Sequence, residues 1–151
     1  MTVALRSDSG WRAQLVPSYP DLFHPAGDPL AAEGWPAVDD GWRELLERAC
    51  ARIRAAVRDD GGSFRATQIK EKYGSLRFYW SGRLSPEART RVEEAIDLAE
   101  ARTATTCEVC GEARHRKLRP RSAVSCRIQP RAAARCARCL RSNGGVLPLI
   151  F

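Results

Sequence analysis

The chain has 151 residues, 44% of them hydrophobic, and 25 Lys/Arg against 18 Asp/Glu give it a net charge of +7. That length suits one core burying about 70% of the unfolded surface, and the ordinary apolar content argues against disorder over most of the chain. No run approaches the ~20 apolar residues that span a bilayer, and Met1–Gly10 lacks the basic-then-apolar order of a secretory leader, so the expectation is a cytoplasmic protein with no membrane contact.

Residues 1–38 hold Pro17, Pro20, Pro25, Pro29 and Pro36, which predicts an irregular or extended lead-in. Its Trp11, Tyr19, Leu22, Phe23 and Trp35 are too apolar for a linker and are expected to lie across the core as a strap. From Trp42 to about Arg58 the pattern turns helical. Trp42, Leu45, Leu46, Ala49, Ile53, Ala56 and Val57 recur at i, i+3, i+4, i+7, and the charged residues face away. Asp39 or Asp40 is the expected N-cap, and Asp59-Asp60-Gly61-Gly62 the stop. Cys50 sits beside the apolar stripe and reads as a small buried hydrophobe.

Residues 64–81 predict a β-hairpin with arms Phe64–Lys72 and Leu76–Trp80 and a Tyr73-Gly74-Ser75 connection. Leu76, Phe78 and Trp80 share one face, and Ile69 with Tyr73 is expected on an apolar face of the other arm. Lys70, Lys72, Arg77 and Tyr79 form a candidate docking hairpin for phosphate or carboxylate; the alternative is that these charges guard a sheet edge. Ser85-Pro86-Glu87 then signals a second helix, with Ala88, Val92, Ala95, Ile96 and Ala99 as its apolar stripe, ending near Arg102.

The last third differs in composition. Residues 1–106 carry 15 basic and 16 acidic side chains, whereas residues 107–151 carry ten basic side chains against Glu108 and Glu112. All of the excess positive charge therefore lies beside Cys107-x-x-Cys110-Gly111 and Cys136-x-x-Cys139. Two such pairs supply four thiolates to one tetrahedral zinc, and reduced cysteines in the cytoplasm bind metal more often than they form disulfides. Cys107, Cys110, Cys136 and Cys139 are thus the candidate ligands of a structural zinc, with Cys126 or His115 as competing ligands. Four protein ligands leave no open position for activated water, so such a site is not catalytic.

Gly41-Trp42, the stretch Gln68-Ile-Lys-Glu-Lys-Tyr-Gly-Ser-Leu-Arg-Phe-Tyr79, the Ala-Glu-Ala-Arg102 helix end and Cys107-Glu-Val-Cys-Gly111 resemble a family of small bacterial and phage proteins with no established activity. Its marks are a KEK[FY]GxLRFY hairpin followed by a CxxCG zinc knuckle, and the resemblance covers roughly residues 19–111. It implies a helix–hairpin–helix fold with a knuckle at Cys107–Gly111. Beyond Gly111 this chain departs from the family, because Glu112–Arg135 contains no Trp and is rich in Arg and Ala.

The predicted architecture is α+β. Residues 1–106 form a helix–β-hairpin–helix core with an N-terminal Pro/aromatic strap, and residues 107–151 form a basic, treble-clef- or ribbon-like zinc segment packed on it or appended to it. The expected function is a non-enzymatic, zinc-stabilised module that contacts nucleic acid through Arg114, Arg116, Lys117, Arg119, Arg121, Arg127, Arg131, Arg135 and Arg138. The alternatives are a protein-interaction, inhibitor or immunity-type module with Tyr79, Trp11 or Trp35 as anchors, recognising an acidic protein partner, and a metal-independent enzyme built on carboxylates. Two histidines, His24 and His115, leave little for nuclease or serine-hydrolase chemistry.

Overall fold

The structure, a computed structural model, describes residues 10–113. These residues form four α-helices, two short 3₁₀ turns (Pro29–Ala31 and Asp40–Trp42) and a three-stranded mixed sheet. The fold is α+β, as the sequence predicts. No described helix is long and apolar enough to cross a membrane.

The lead-in is not extended. Its first described part forms helix α1 (Trp11–Ser18) and the single turn α2 (Pro20–Phe23), while residues 24–35 are irregular, as predicted, apart from the Pro29–Ala31 turn. Pro17 falls in the last turn of α1, where its missing N–H removes one bond, and Pro20 occupies the first position of α2, where the N–H has no helical partner in any case. His24 closes α2 in the left-handed region, and its Nε2–H donates to the Phe64 carbonyl at 2.7 Å. Trp11, Leu15, Val16, Leu22 and Phe23 are buried, so the strap is part of the core. Arg12 donates to the carbonyls of Pro36 and Val38, fastening strap to sheet.

The first long helix, α3 (Arg43–Asp60), buries Leu46, Ala49, Cys50, Ile53, Ala56 and Val57 and is closed by Gly61 at φ 72°. The apolar stripe and the glycine stop match the sequence. The predicted aspartate cap does not form. The Asp40 carboxylate accepts from the Trp11 indole at 2.8 Å, and neither Asp39 nor Asp40 caps the helix. A long-range partner has taken the group that a local rule assigns to the helix start.

Strands β2 (Ser63–Lys72) and β3 (Ser75–Arg83) form the hairpin, and β1 (Pro36–Ala37) lies parallel to β2 opposite Ile69 and Lys70. The two-residue β1 carries too short a pattern to be read from sequence. The turn is Tyr73-Gly74, with φ of 53° and 82°, and Ser75 already pairs with Lys72. Two positive φ values are the signature of the type I′ turn that suits the right-handed twist of a hairpin. Tyr73 is therefore 72% exposed rather than packed with Ile69. Thr67 is an extra residue between the pairs Ala66–Trp80 and Gln68–Tyr79, a bulge that shifts the alternation of β2 by one.

Helix α4 (Pro86–Thr103) begins as predicted, with Ser85 Oγ accepting from the Ala88 amide. Alanines of α3 (Ala49, Ala56) and of α4 (Ala88, Ala95, Ala99) are buried in the two helices, which pack together over the inner face of the sheet. The end of α4 also seals β3, the outer strand. Thr103 Oγ1 accepts from Leu76 N–H at 3.0 Å and Glu100 Oε1 accepts from Phe78 N–H at 3.4 Å, while Glu100 pairs with Arg77 at 3.1 Å. Two edge amides that would otherwise template another strand, those of Leu76 and Phe78, are thereby satisfied by side chains.

Thr103→Val leaves the buried Leu76 amide without its acceptor and should lower the unfolding free energy by about 1–3 kcal/mol, read from urea denaturation. Thr103→Ser, which keeps the hydroxyl, should recover most of that loss. Equal stability of the Val variant and the parent would contradict the sealed edge.

Candidate metal centre and its seat in the core

Cys107 and Cys110 lie on one closed turn. The Gly111 amide donates to the Cys107 carbonyl at 2.9 Å, the Cys107 amide donates to Glu112 O at 2.8 Å, and an antiparallel bridge joins Thr106 to Ala113. An i→i+4 bond closes a single α-type turn. Gly111 leaves the turn at φ 74°, the left-handed region that glycine enters without penalty. Cys107 is fully buried and Cys110 is exposed. The two cysteines thus stand three residues apart on a glycine-terminated turn, one thiol buried in the protein and the other at its surface.

The turn is seated on the segment before α3. Gly41 N–H donates to Glu108 O at 2.6 Å, Trp42 Nε1–H donates to Thr106 O at 3.0 Å, and Asp39 N–H donates to Glu108 Oε1 at 3.2 Å. Trp42 is fully buried, so its indole N–H needs an acceptor, and the carbonyl just before Cys107 provides it. A Cβ on Gly41 would meet the Cys107 carbonyl oxygen and stand 2.5 Å from Glu108 O and Gly111 N. The two backbones therefore touch, and residue 41 has no room for a side chain.

The other expected site residues are placed as follows. Cys50 is buried in α3, where desolvation pushes its thiol up to about 12; it packs as a hydrophobe, as predicted, and the thiolate form needed for a metal ligand is disfavoured. Lys70, Lys72, Arg77 and Tyr79 all lie on the outer face of the hairpin. Of the proposed protein-binding anchors, Trp11 is buried, Trp35 is partly buried against the core and Tyr79 is exposed. Cys126, Cys136, Cys139, His115 and the basic run from Arg114 through Arg138 lie outside the described residues. Among the described residues no group of three or more His, Cys, Asp or Glu side chains converges as a metal cage. The described part of the candidate centre is its Cys107/Cys110 half.

Sequence reasoning missed the seat. Gly41 carries no local signal for contact, because its partners come from a turn more than 60 residues away, as the Trp42–Thr106 separation of 64 shows. A glycine directly before a helix-starting Trp is the one feature that marks it.

Comparison with known protein families, with curated proteins and with solved structures finds no match for this chain in any of the three.

Gly41→Ala forces a methyl group against three backbone atoms of the cysteine turn, and backbone cannot rotate away as a side chain would. The expected result is a loss of about 1–3 kcal/mol or more in urea denaturation, together with faster alkylation of the buried Cys107 thiol. Unchanged stability and unchanged Cys107 reactivity would show that the turn does not rest on residue 41.

Proposed function

We propose that this chain is a non-enzymatic, zinc-stabilised binding module for nucleic acid. The observation that carries the metal half is the glycine-closed Cys107–Gly111 turn, built into the core through Gly41 and Trp42. Cys107 and Cys110 suit a thiophilic ion such as zinc by donor type and spacing, and Cys136 and Cys139 would complete a four-thiolate set. Bound in that way the ion supplies folding free energy, because ligands scattered in the unfolded chain become fixed to one centre.

The nucleic-acid half rests on charge. Ten of the 25 basic residues fall within residues 107–151, against two acids. Arg114, Arg116, Lys117, Arg119 and Arg121 form the densest run, with Arg127, Arg131, Arg135 and Arg138 added along the same segment. A cluster of that sign beside a metal-stabilised turn favours a polyanion, chiefly through phosphate contacts.

Two measurements test the reading. Natively purified protein should carry stoichiometric zinc by elemental analysis, and Cys107→Ser or Cys136→Ser should lose it. Metal absent from the parent overturns the centre. In filter binding to DNA or RNA, log K should fall against log[salt] with a slope of about −0.9 per phosphate neutralised. A binding constant flat between low and moderate salt overturns the nucleic-acid half.

A further inference from the structure

The hairpin presents a face that the described elements leave uncovered. Register and burial place Phe64, Ala66, Ile69, Leu76, Phe78 and Trp80 inward, against the helices. The opposite face carries Arg65, Gln68, Lys70, Lys72, Arg77 and Tyr79, with Arg83 at its far end. No Asp or Glu shares it. Glu71, between the two lysines, points to the other side, and its Oε1 accepts from the Gly74 amide at 2.6 Å. Among the described residues only Arg77 of these cations has a carboxylate partner, Glu100.

Two features of this face work against stability. Lys70 stands directly across the strand pair from Arg77, and like charges directly opposite are unfavourable. Tyr73 occupies a left-handed position at φ 53°, where Asn, Asp or Gly is preferred, and 72% of it is exposed to solvent. Edge protection does not account for the charges. Lys70 lies on the central strand, opposite Ala37 of β1, and beside Arg77 the Leu76 and Phe78 amides of the β3 edge already have acceptors in Thr103 and Glu100. What the arrangement does provide is two exposed aromatic rings, each with an ammonium beside it. Lys70 Nζ is 5.8 Å from the Tyr79 ring centroid and Lys72 Nζ is 5.3 Å from that of Tyr73. Gln68, across from Tyr79, adds a side-chain amide that both donates and accepts.

The geometry points to a docking platform for single-stranded nucleic acid on this outer face. Tyr73 and Tyr79 stack unpaired bases, and Lys70, Lys72 and Arg65 take the phosphates. The inference rests on the nucleic-acid reading above and deepens it by assigning the strand type and a second surface. A sheet face with exposed aromatics flanked by cations is a general solution for unpaired bases, whose π-faces are open, whereas duplex bases are stacked out of reach. The carboxylates of an acidic protein would engage the cations but have no base-like π-face to stack on the two rings.

The test is fluorescence anisotropy on the full chain with a labelled oligothymidylate of about 16 nucleotides and a duplex of the same length. Tyr73→Gly combined with Tyr79→Thr keeps the turn and strand preferences while removing both rings, and circular dichroism checks that it folds. It should weaken single-strand binding about tenfold or more and leave duplex binding within about twofold. Tyr73→Phe with Tyr79→Phe, which keeps the rings, should bind as the parent does. Lys70→Gln with Lys72→Gln should lower the steepness of the salt dependence by about two. If the ring-less variant holds the single strand as tightly as the parent while Arg119→Gln/Arg121→Gln weakens it, the hairpin platform is wrong and the nucleic-acid reading stands. If the parent binds neither strand, both fall. Equal affinity for polyglutamate and oligothymidylate would overturn the platform in favour of an acidic protein partner.

Discussion

The backbones of Asp39–Trp42 and Thr106–Gly111 meet with no space for a side chain between them, and their contact is made by three hydrogen bonds: Gly41 to Glu108 O, Trp42 indole to Thr106 O, and Asp39 to the Glu108 carboxylate. That junction fixes where the cysteine turn sits. It also satisfies the indole N–H of a fully buried Trp42, the residue that leads into α3. The start of the first long helix and the seat of the first thiol pair are therefore one piece of structure. Binding of an ion by Cys107 and Cys110 would brace the same junction from the outside, so metal affinity and core stability are expected to be coupled.

The other described elements hold that junction in place and leave one sheet face uncovered. The strap helices tie into it through Asp40, which accepts from Trp11 and pairs with Arg12 at 3.5 Å. Helix α4 delivers the chain to Cys107 after closing the β3 edge with Glu100 and Thr103. With one sheet face under the helices, the basic outer face of the hairpin is left uncovered by the described residues. The carboxylates gathered near the turn, Asp40 and Glu108, are engaged in structural hydrogen bonds.

Features carried by local chemistry were legible in the sequence. The 3.6-residue stripes of α3 and α4, the Ser85 cap and the Gly61 stop each depend on residues within a few positions of one another, and they appear where periodicity puts them. Features decided across the chain were not. Pro17 and Pro20 read as helix breakers, yet Pro17 falls in a last turn at the cost of one backbone bond and Pro20 at a first position, where proline costs least. Asp39 and Asp40 read as caps until a strap indole and a distant turn are placed beside them. The bulge at Thr67 and the two-residue β1 arise from pairing register, which no short window encodes. Of the candidate centre, Cys107 and Cys110 were legible from spacing, while the demand on Gly41 comes from a backbone far along the chain.

Amide hydrogen exchange, followed by NMR on the full chain at neutral pH, tests the junction most directly. If the cysteine turn is an integral part of the core, the Gly41 amide and the Trp42 indole N–H exchange as slowly as amides in the middle of α3, such as that of Ile53. Exchange of these two protons at the rate of an exposed turn such as Gly27, while Ile53 stays protected, would show that the turn is not docked and would contradict the account.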